Sequence, residues 1–292
     1  MTQAGDFFRN HKVEICIFIL ALIARLLYLG ISINSYQGDL VGAVRGADGY
    51  YVISENIIHG NGFSSEDTPP YAPNSFRPPL QPYFLASTYS IFGSYWLTII
   101  LLIILGSLLP VMAMNIVRFM FNARGVIVGT GVLLALEPAS ILYSTIFYSE
   151  TLFIFFFLLS MYYAFKYVHR EMWYHGIFAT AFLGLATLTK PVSMYLPLIL
   201  APIFMFHFRK ELTKERIIAA GVFIAVFLLV LSPWLYRNYR EFHTIGITSE
   251  EGVTLYTVLI PSMFAVEHST SFQKEFADWT AHGVKGPNEA TI

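Results

Sequence analysis

Apolar runs recur along the chain at about 15–33, 95–117, 125–142, 149–167, 173–190, 192–208 and 216–236. Most approach the twenty or so residues that cross a bilayer core, although the third, fifth and sixth are short. The pattern predicts an all-α polytopic membrane protein with about seven spans. The first run follows a short polar stretch carrying Arg9 and Lys12. A cleavable signal would show a shorter apolar core and a small-residue cleavage site, which Ser32-Ile-Asn34 does not supply, so this run reads as an uncleaved helix.

Basic residues orient the runs. Arg118 and Arg124, then Lys166 and Arg170, then Arg209, Lys210, Lys214 and Arg216 fall in alternate connections, on the side of Arg9 and Lys12. The positive-inside rule then sets the N-terminus in the cytoplasm. Segment 34–94 becomes an extracytoplasmic loop, and the chain divides into a membrane module over 1–236 and an external segment over 237–292. Within the loop, Tyr50–Ile58 has helical spacing that Gly60-Asn-Gly62 ends, and Thr68-Pro-Pro70 with Pro73 makes an extended turn. Pro78-Pro79 can open a second helix with an aromatic surface. Both helices are too short and polar to span, so they are expected at the interface.

Composition agrees: 55% of the 292 residues are hydrophobic, 16% aromatic and only 13% charged, with a mean hydropathy of +0.58. A net charge of −1 leaves no basic stripe for nucleic acid. The single Cys16 excludes a disulfide framework and reads as buried apolar filler. The eight histidines are scattered without ligand spacing, and no Asp-x-Asp lies in the first loop, so the sequence supports no metal site and leaves a divalent-ion requirement open. No nucleotide-type glycine loop and no nucleophile elbow occurs.

The polar loop carries the chemistry. Asp48 precedes the first short helix and is either its N-cap or a general base at the mouth of a membrane cavity. Arg77, held between Phe76 and Pro78-Pro79, either snorkels, pairs with Glu66 or Asp67, or grips a lipid phosphate through its fork of donors. Glu150 begins the fourth long run, where an ionisable group needs a partner; it orients Asp48 or Arg77, contacts a sugar, or caps its helix. Lys190 and Arg237 close later helices and either anchor them at the interface or add positive charge for a donor phosphate. Tyr50 and Tyr51 are candidates for the cavity wall. Arg25, midway along the first run, is expected to face the interior and pair with an acid.

These residues resemble a known family in their order and spacing: Arg25-Leu-Leu-Tyr28, Asp48-Gly-Tyr-Tyr51, Gly60-Asn-Gly-Phe63, Arg77-Pro-Pro-Leu-Gln-Pro-Tyr83, Phe92-Gly93, Glu137-Pro138, Ser149-Glu-Thr-Leu152, Thr189-Lys-Pro191 and Pro233-Trp-Leu-Tyr-Arg-Asn-Tyr239. They are similar to the polytopic GT-C glycosyltransferases, especially bacterial enzymes akin to protein O-mannosyltransferases and aminoarabinose lipid A transferases. The resemblance implies inverting transfer of a sugar from a polyprenyl-phosphate carrier to a lipid, protein or glycan acceptor at the outer membrane face. It implies Asp48 as catalytic aspartate, Arg77 as the basic residue on the lipid phosphate and Glu150 as a second active-site acid. Gly49 stands where the mannosyltransferases carry a second acid, and Phe76 where the lipid A enzymes carry a metal-linked glutamate. Family members extend further, so the chain is expected to be truncated. The competing readings are a transporter or flippase of a lipid-linked anion, and an inactive truncated homologue.

Overall fold

The computed structural model describes residues 11–170, 172–197, 214–249, 259–268, 270–271, 273–274 and 276–277. These residues form helices and turns, with no strand among them. The helices are α1 (Lys12–Ser35), α2 (Leu40–Val44), α3 (Tyr50–Ile58), α4 (Leu80–Phe92), α5 (Trp96–Val117), α6 (Arg124–Leu136), α7 (Pro138–Tyr143), α8 (Glu150–Arg170), α9 (Trp173–Thr189), α10 (Lys214–Phe242) and α11 (Ile260–Glu267). Among the described residues, four stretches are long and apolar enough to cross a membrane: Lys12–Ser35, Trp96–Val117, Glu150–His169 and Ile217–Phe242. α9, with 17 residues, is about 25 Å long at 1.5 Å per residue. The sixth apolar run opens as a 3₁₀ turn over Pro191–Tyr195, and most of it lies outside the described residues.

The third run is two helices, and the break has a local cause. Pro138 has no N–H, and the residue before a proline is pushed to extended backbone, which Glu137 adopts at φ −66°, ψ 120°. The Glu137 carboxylate then caps α7, accepting from the amides of Ala139 at 3.0 Å and of Ser140. Carbonyls one turn back lose their usual donors, and Arg25 answers one of them. Its Nη1 donates to the Ala135 carbonyl at 3.4 Å and the Ala21 carbonyl at 3.0 Å, and its Nη2 to Ser140 Oγ at 2.8 Å. Arg25 is inward and fully buried, as expected. The expected acid partner is corrected: these hydrogen bonds go to carbonyls and a hydroxyl, because the nearby acid is spent on the cap.

α1 packs on α5 and α6, α5 on α8, and α9 on both α8 and α10. Gly176 and Gly184 of α9 face Phe223 and Val230 of α10 so closely that a Cβ would collide, the small-residue contact that lets membrane helices approach. Glu14, near the start of α1, pairs with Arg118 at the end of α5, so these two spans run antiparallel. The outer faces are apolar and bare, as at Leu27, Ile31 and Leu229, which suits contact with lipid. Cys16 lies on such a face, a correction to the reading of it as buried filler: helical phase turns it away from Ile17 and Ala21, which α1 buries.

α3 and α4 form where the loop spacing predicts them. Gly60 and Gly62, both at positive φ, end α3, and Gly93 ends α4 at φ 64°. These helices pack inward, burying Tyr50, Ile53, Leu85 and Ala86. A core of Val44, Tyr50, Leu85, Tyr95, Ile99 and Phe147 joins them to α5 and to the turn before α8. That turn is held from two sides, by the Phe147 amide donating to the Val44 carbonyl at 2.8 Å and by Gln81 Nε2 donating to the Phe147 carbonyl at 3.2 Å.

Candidate active site

Asp48 is set by the turn between α2 and α3. Gly46 takes φ 65° with the Tyr148 ring against it, and the Ala47 amide donates to the Tyr148 hydroxyl at 3.2 Å. Gly49, at φ 77°, occupies the N-cap position of α3 without any side-chain cap. Asp48 therefore sits one residue too early to cap in the expected way. Its Oδ1 instead lies 4.0 Å from Arg77 Nη2.

Arg77 is mounted on Asn74. The Asn74 Oδ1 accepts from the amides of Phe76 at 2.9 Å and Arg77 at 3.0 Å, and its Nδ2 donates to Ser65 Oγ at 2.9 Å. The Asn74 amide donates to the Phe63 carbonyl at 2.8 Å, while its own carbonyl accepts from Arg237 Nη1 at 2.8 Å. The Arg77 guanidinium lies 5.3 Å from the Tyr50 ring centre and 4.9 Å from that of Phe76. Tyr50 in turn donates to Ser149 Oγ at 3.3 Å, next to Glu150.

Glu150 opens α8 and Lys190 follows the end of α9, the helix ends where a negative and a positive charge are respectively favoured. They pair at 2.7 Å between Lys190 Nζ and Glu150 Oε1, while the buried Oε2 of Glu150 has no hydrogen-bond partner. Burial raises the Asp48 carboxyl above its ordinary range; Arg77 and Lys190 oppose this and Glu150 adds to it. The four charged side chains thus share one electrostatic neighbourhood at a single end of the bundle. It sets two cations, Arg77 and Lys190, beside the Asp48 carboxyl.

The other candidates separate from this group. The Arg237 guanidinium lies 4.7 Å from Trp234, 5.1 Å from Phe242 and 5.4 Å from Phe63; its hydrogen bonds to Asn74 and to Asn238 Oδ1, the latter at 2.9 Å, prop the loop beneath Arg77. Tyr51 stacks on Phe147 at 6.5 Å and leads into a separate polar depression. A wholly apolar cleft of about 330 Å³, lined by Leu80, Phe84, Leu101, Leu105, Leu152 and Phe156 among others, starts close in sequence to both Arg77 and Glu150. Among the described residues, no group of three or more His, Cys, Asp or Glu side chains is placed to hold a metal.

Sequence reasoning missed Asn74 and Gln81. An Asn ahead of Ser-Phe-Arg-Pro-Pro is a turn signal that would have found the first. No local signal marks Gln81, whose partner lies 66 residues away.

The profile of the family described as dolichyl-phosphate-mannose-protein mannosyltransferase matches residues 76–236, more than half of the chain. The chain belongs to this family. It is a membrane glycosyltransferase of the GT-C type. Arg77, Glu150 and Lys190 fall within the matched span of the glycosyltransferase, whereas Asp48 precedes it and Arg237 immediately follows it. Comparison with curated proteins gave no significant match, and neither did comparison with solved structures.

Proposed function

We propose that this glycosyltransferase moves a sugar from a polyprenyl-phosphate carrier to an acceptor at the extracytoplasmic membrane face, with inversion. The observation that carries the reading is the 4.0 Å approach of Asp48 to Arg77, beside the Lys190–Glu150 pair and near a purely apolar cleft. A lipid phosphate needs a cation at the bundle end and an apolar path for its chain. Arg77 supplies a fixed fork of donors and the cleft supplies the path.

In the proposed step, the Asp48 carboxylate takes the proton of an acceptor hydroxyl or amine as that atom bonds to the anomeric carbon. The bond from this carbon to the phosphate oxygen breaks on the opposite face. The electron pair leaves with the polyprenyl phosphate, whose charge Arg77 and Lys190 offset. One displacement inverts the anomeric centre. Glu150 holds Lys190 in place and tunes Asp48. Alternate basic connections support a cytoplasmic N-terminus, with the site outside. The membrane module over 1–236 carries this chemistry in the proposal, and 237–292 is its external continuation.

The test is purified protein in nanodiscs with a radiolabelled polyprenyl-phosphate sugar. Arg77→Ala should weaken donor binding about 10- to 100-fold, since a charged hydrogen bond contributes roughly 1.5–3 kcal/mol, and Arg77→Lys should recover part of this. Unchanged donor affinity in Arg77→Ala overturns the reading.

A further inference from the structure

An open depression of about 360 Å³, mixed polar and apolar in its lining, lies along α3 beside the 59–71 loop. Its lining includes Tyr51, Glu55, Asn61, Glu66, Asp67 and Tyr71, and no lysine or arginine. The volume falls within the range of small-molecule sites. The walls are fixed from beneath. Tyr95, buried and keeping its proton because burial and the Glu55 carboxylate both push its phenol up, donates to Glu55 Oε1 at 2.6 Å. Asn56 Nδ2 donates to the carbonyls of Ser64 at 2.9 Å and Glu66 at 2.8 Å, which pins the loop to the helix. One Glu55 oxygen is thus held by a buried phenol and its carboxylate is oriented at the cavity wall.

The charges of the bundle end are segregated. Arg77 and Lys190 gather beside Asp48, whereas the lining of this depression carries three carboxylates with His59 as its one basic side chain, Arg45 acting on Tyr51 from beside it. A phosphate is attracted to the first region and repelled by the second. Tyr51 lies in the first turn of α3 and follows Asp48 by three positions across the Gly49 N-cap. The neighbouring Tyr50 lies under the Arg77 guanidinium, so the depression and the charged group flank the same helix start. Carboxylates and amides at fixed positions accept from and donate to neighbouring hydroxyls, and tyrosine rings cover the apolar C–H face of a sugar.

Resting on the donor reading above, we infer that this depression is the acceptor subsite and takes a neutral or amine-bearing sugar unit of the acceptor. A peptide would leave its carboxylates facing backbone carbonyls, and an anionic headgroup would meet like charge.

Saturation-transfer NMR on the full chain in nanodiscs tests this with methyl β-glucoside, methyl β-glucosaminide, glucose 1-phosphate and an N-acetyl-threonine dipeptide amide. The two uncharged or amine-bearing glycosides should receive saturation from the wild type and lose at least five-fold of it in Tyr71→Ala. Asp67→Asn, an isosteric change at an exposed position, should weaken the glucosaminide more than the glucoside. Any glucose 1-phosphate signal should be indifferent to Tyr71→Ala. Arg77→Ala should keep both glycoside signals, so failure of the donor site and failure of this subsite are read separately. Glycoside signals equal in wild type and Tyr71→Ala overturn the inference. So does a dipeptide signal that Tyr71→Ala abolishes while glycoside signals stay. Tighter binding of octyl β-glucoside than of the methyl glycoside would mark a lipid-linked acceptor, and equal binding a free one.

Discussion

Asn74 holds Arg77 without offering any charge of its own, and this makes a sharp prediction. Asn74→Ala removes the two acceptor bonds to the Phe76 and Arg77 amides, at 2.9 and 3.0 Å, and the donor bond to Ser65 at 2.9 Å. At a net value near 1 kcal/mol per bond, the turn loses about 2–3 kcal/mol of local stability. Asn74→Asp keeps the acceptor oxygen, and the Ser65 hydroxyl can reverse to donate to the second carboxylate oxygen. Donor binding should fall on the order of 5- to 10-fold in Asn74→Ala, because only the fraction of molecules with an ordered turn binds, and stay within about 2-fold of wild type in Asn74→Asp. The assay is donor KM and kcat, measured separately in nanodiscs, together with the thermal midpoint. If Asn74 acts through Arg77, the double variant Asn74→Ala/Arg77→Ala should have a donor KM no worse than Arg77→Ala alone, while its thermal midpoint still drops. Additive losses in KM, or Asn74→Asp as poor as Asn74→Ala, would refute the reasoning.

Asp48→Asn should fold normally, since no side-chain cap is lost, and turn over on the order of 10²–10⁴ more slowly; near-normal turnover would make Glu150 the leading candidate base instead. Because burial raises the Asp48 carboxyl, the acidic limb of kcat/KM should lie above the ordinary carboxylate range, activity being lost as pH falls through that raised value and Asp48 takes a proton. Glu150→Gln should move this limb down and Lys190→Met up; a limb that ignores both removes Asp48 as its source. Arg25→Met strands the Ala135 carbonyl and the Ser140 hydroxyl, so it should cost about 1–3 kcal/mol per stranded group, read as a lower thermal midpoint with donor KM unchanged. A cysteine at Ser65 should react with an impermeant reagent in intact cells, and labelling only after lysis would reverse the orientation.

What the sequence disclosed follows the range of the forces involved. Periodicity and length are local, so α1, α5, α8 and the two short loop helices were legible from 15–33, 95–117, 149–167, 50–58 and Pro78-Pro79. The Glu137-Pro138 break was visible as a motif, yet its consequence was not. Predicting that Arg25 answers a freed carbonyl requires knowing that α1 packs on α6. Arg237 illustrates the same limit from the other side. Its place at the end of a span made it a phosphate candidate, but Phe63, Trp234 and Phe242 surround it and Asn74 takes its donor. Trp234 and Phe242 share its helix, but Phe63 and Asn74 come from a loop 163 or more residues away and cannot be assigned to this arginine from spacing alone.

The placement of the charges follows from the bilayer as solvent. An ionisable side chain at hydrocarbon depth is costly unless its hydrogen bonds are met internally, and Arg25, midway along α1, has Nη1 and Nη2 met by carbonyls and a hydroxyl, while its buried Nε has no hydrogen-bond partner among the described residues. Both terminal nitrogens of this residue are committed to the fold. The four candidate site residues lie where helices begin and end: Asp48 ahead of α3, Arg77 ahead of α4, Glu150 opening α8 and Lys190 closing α9. Helix ends in a bundle do not converge by themselves, so something must tie them. Here the Phe147 amide holds the chain after α2, the Phe147 carbonyl holds α4 through Gln81, and α8 begins three residues later. One turn between α7 and α8 thereby brings three of the four charges to the same bundle end, and the Glu150–Lys190 pair brings the fourth.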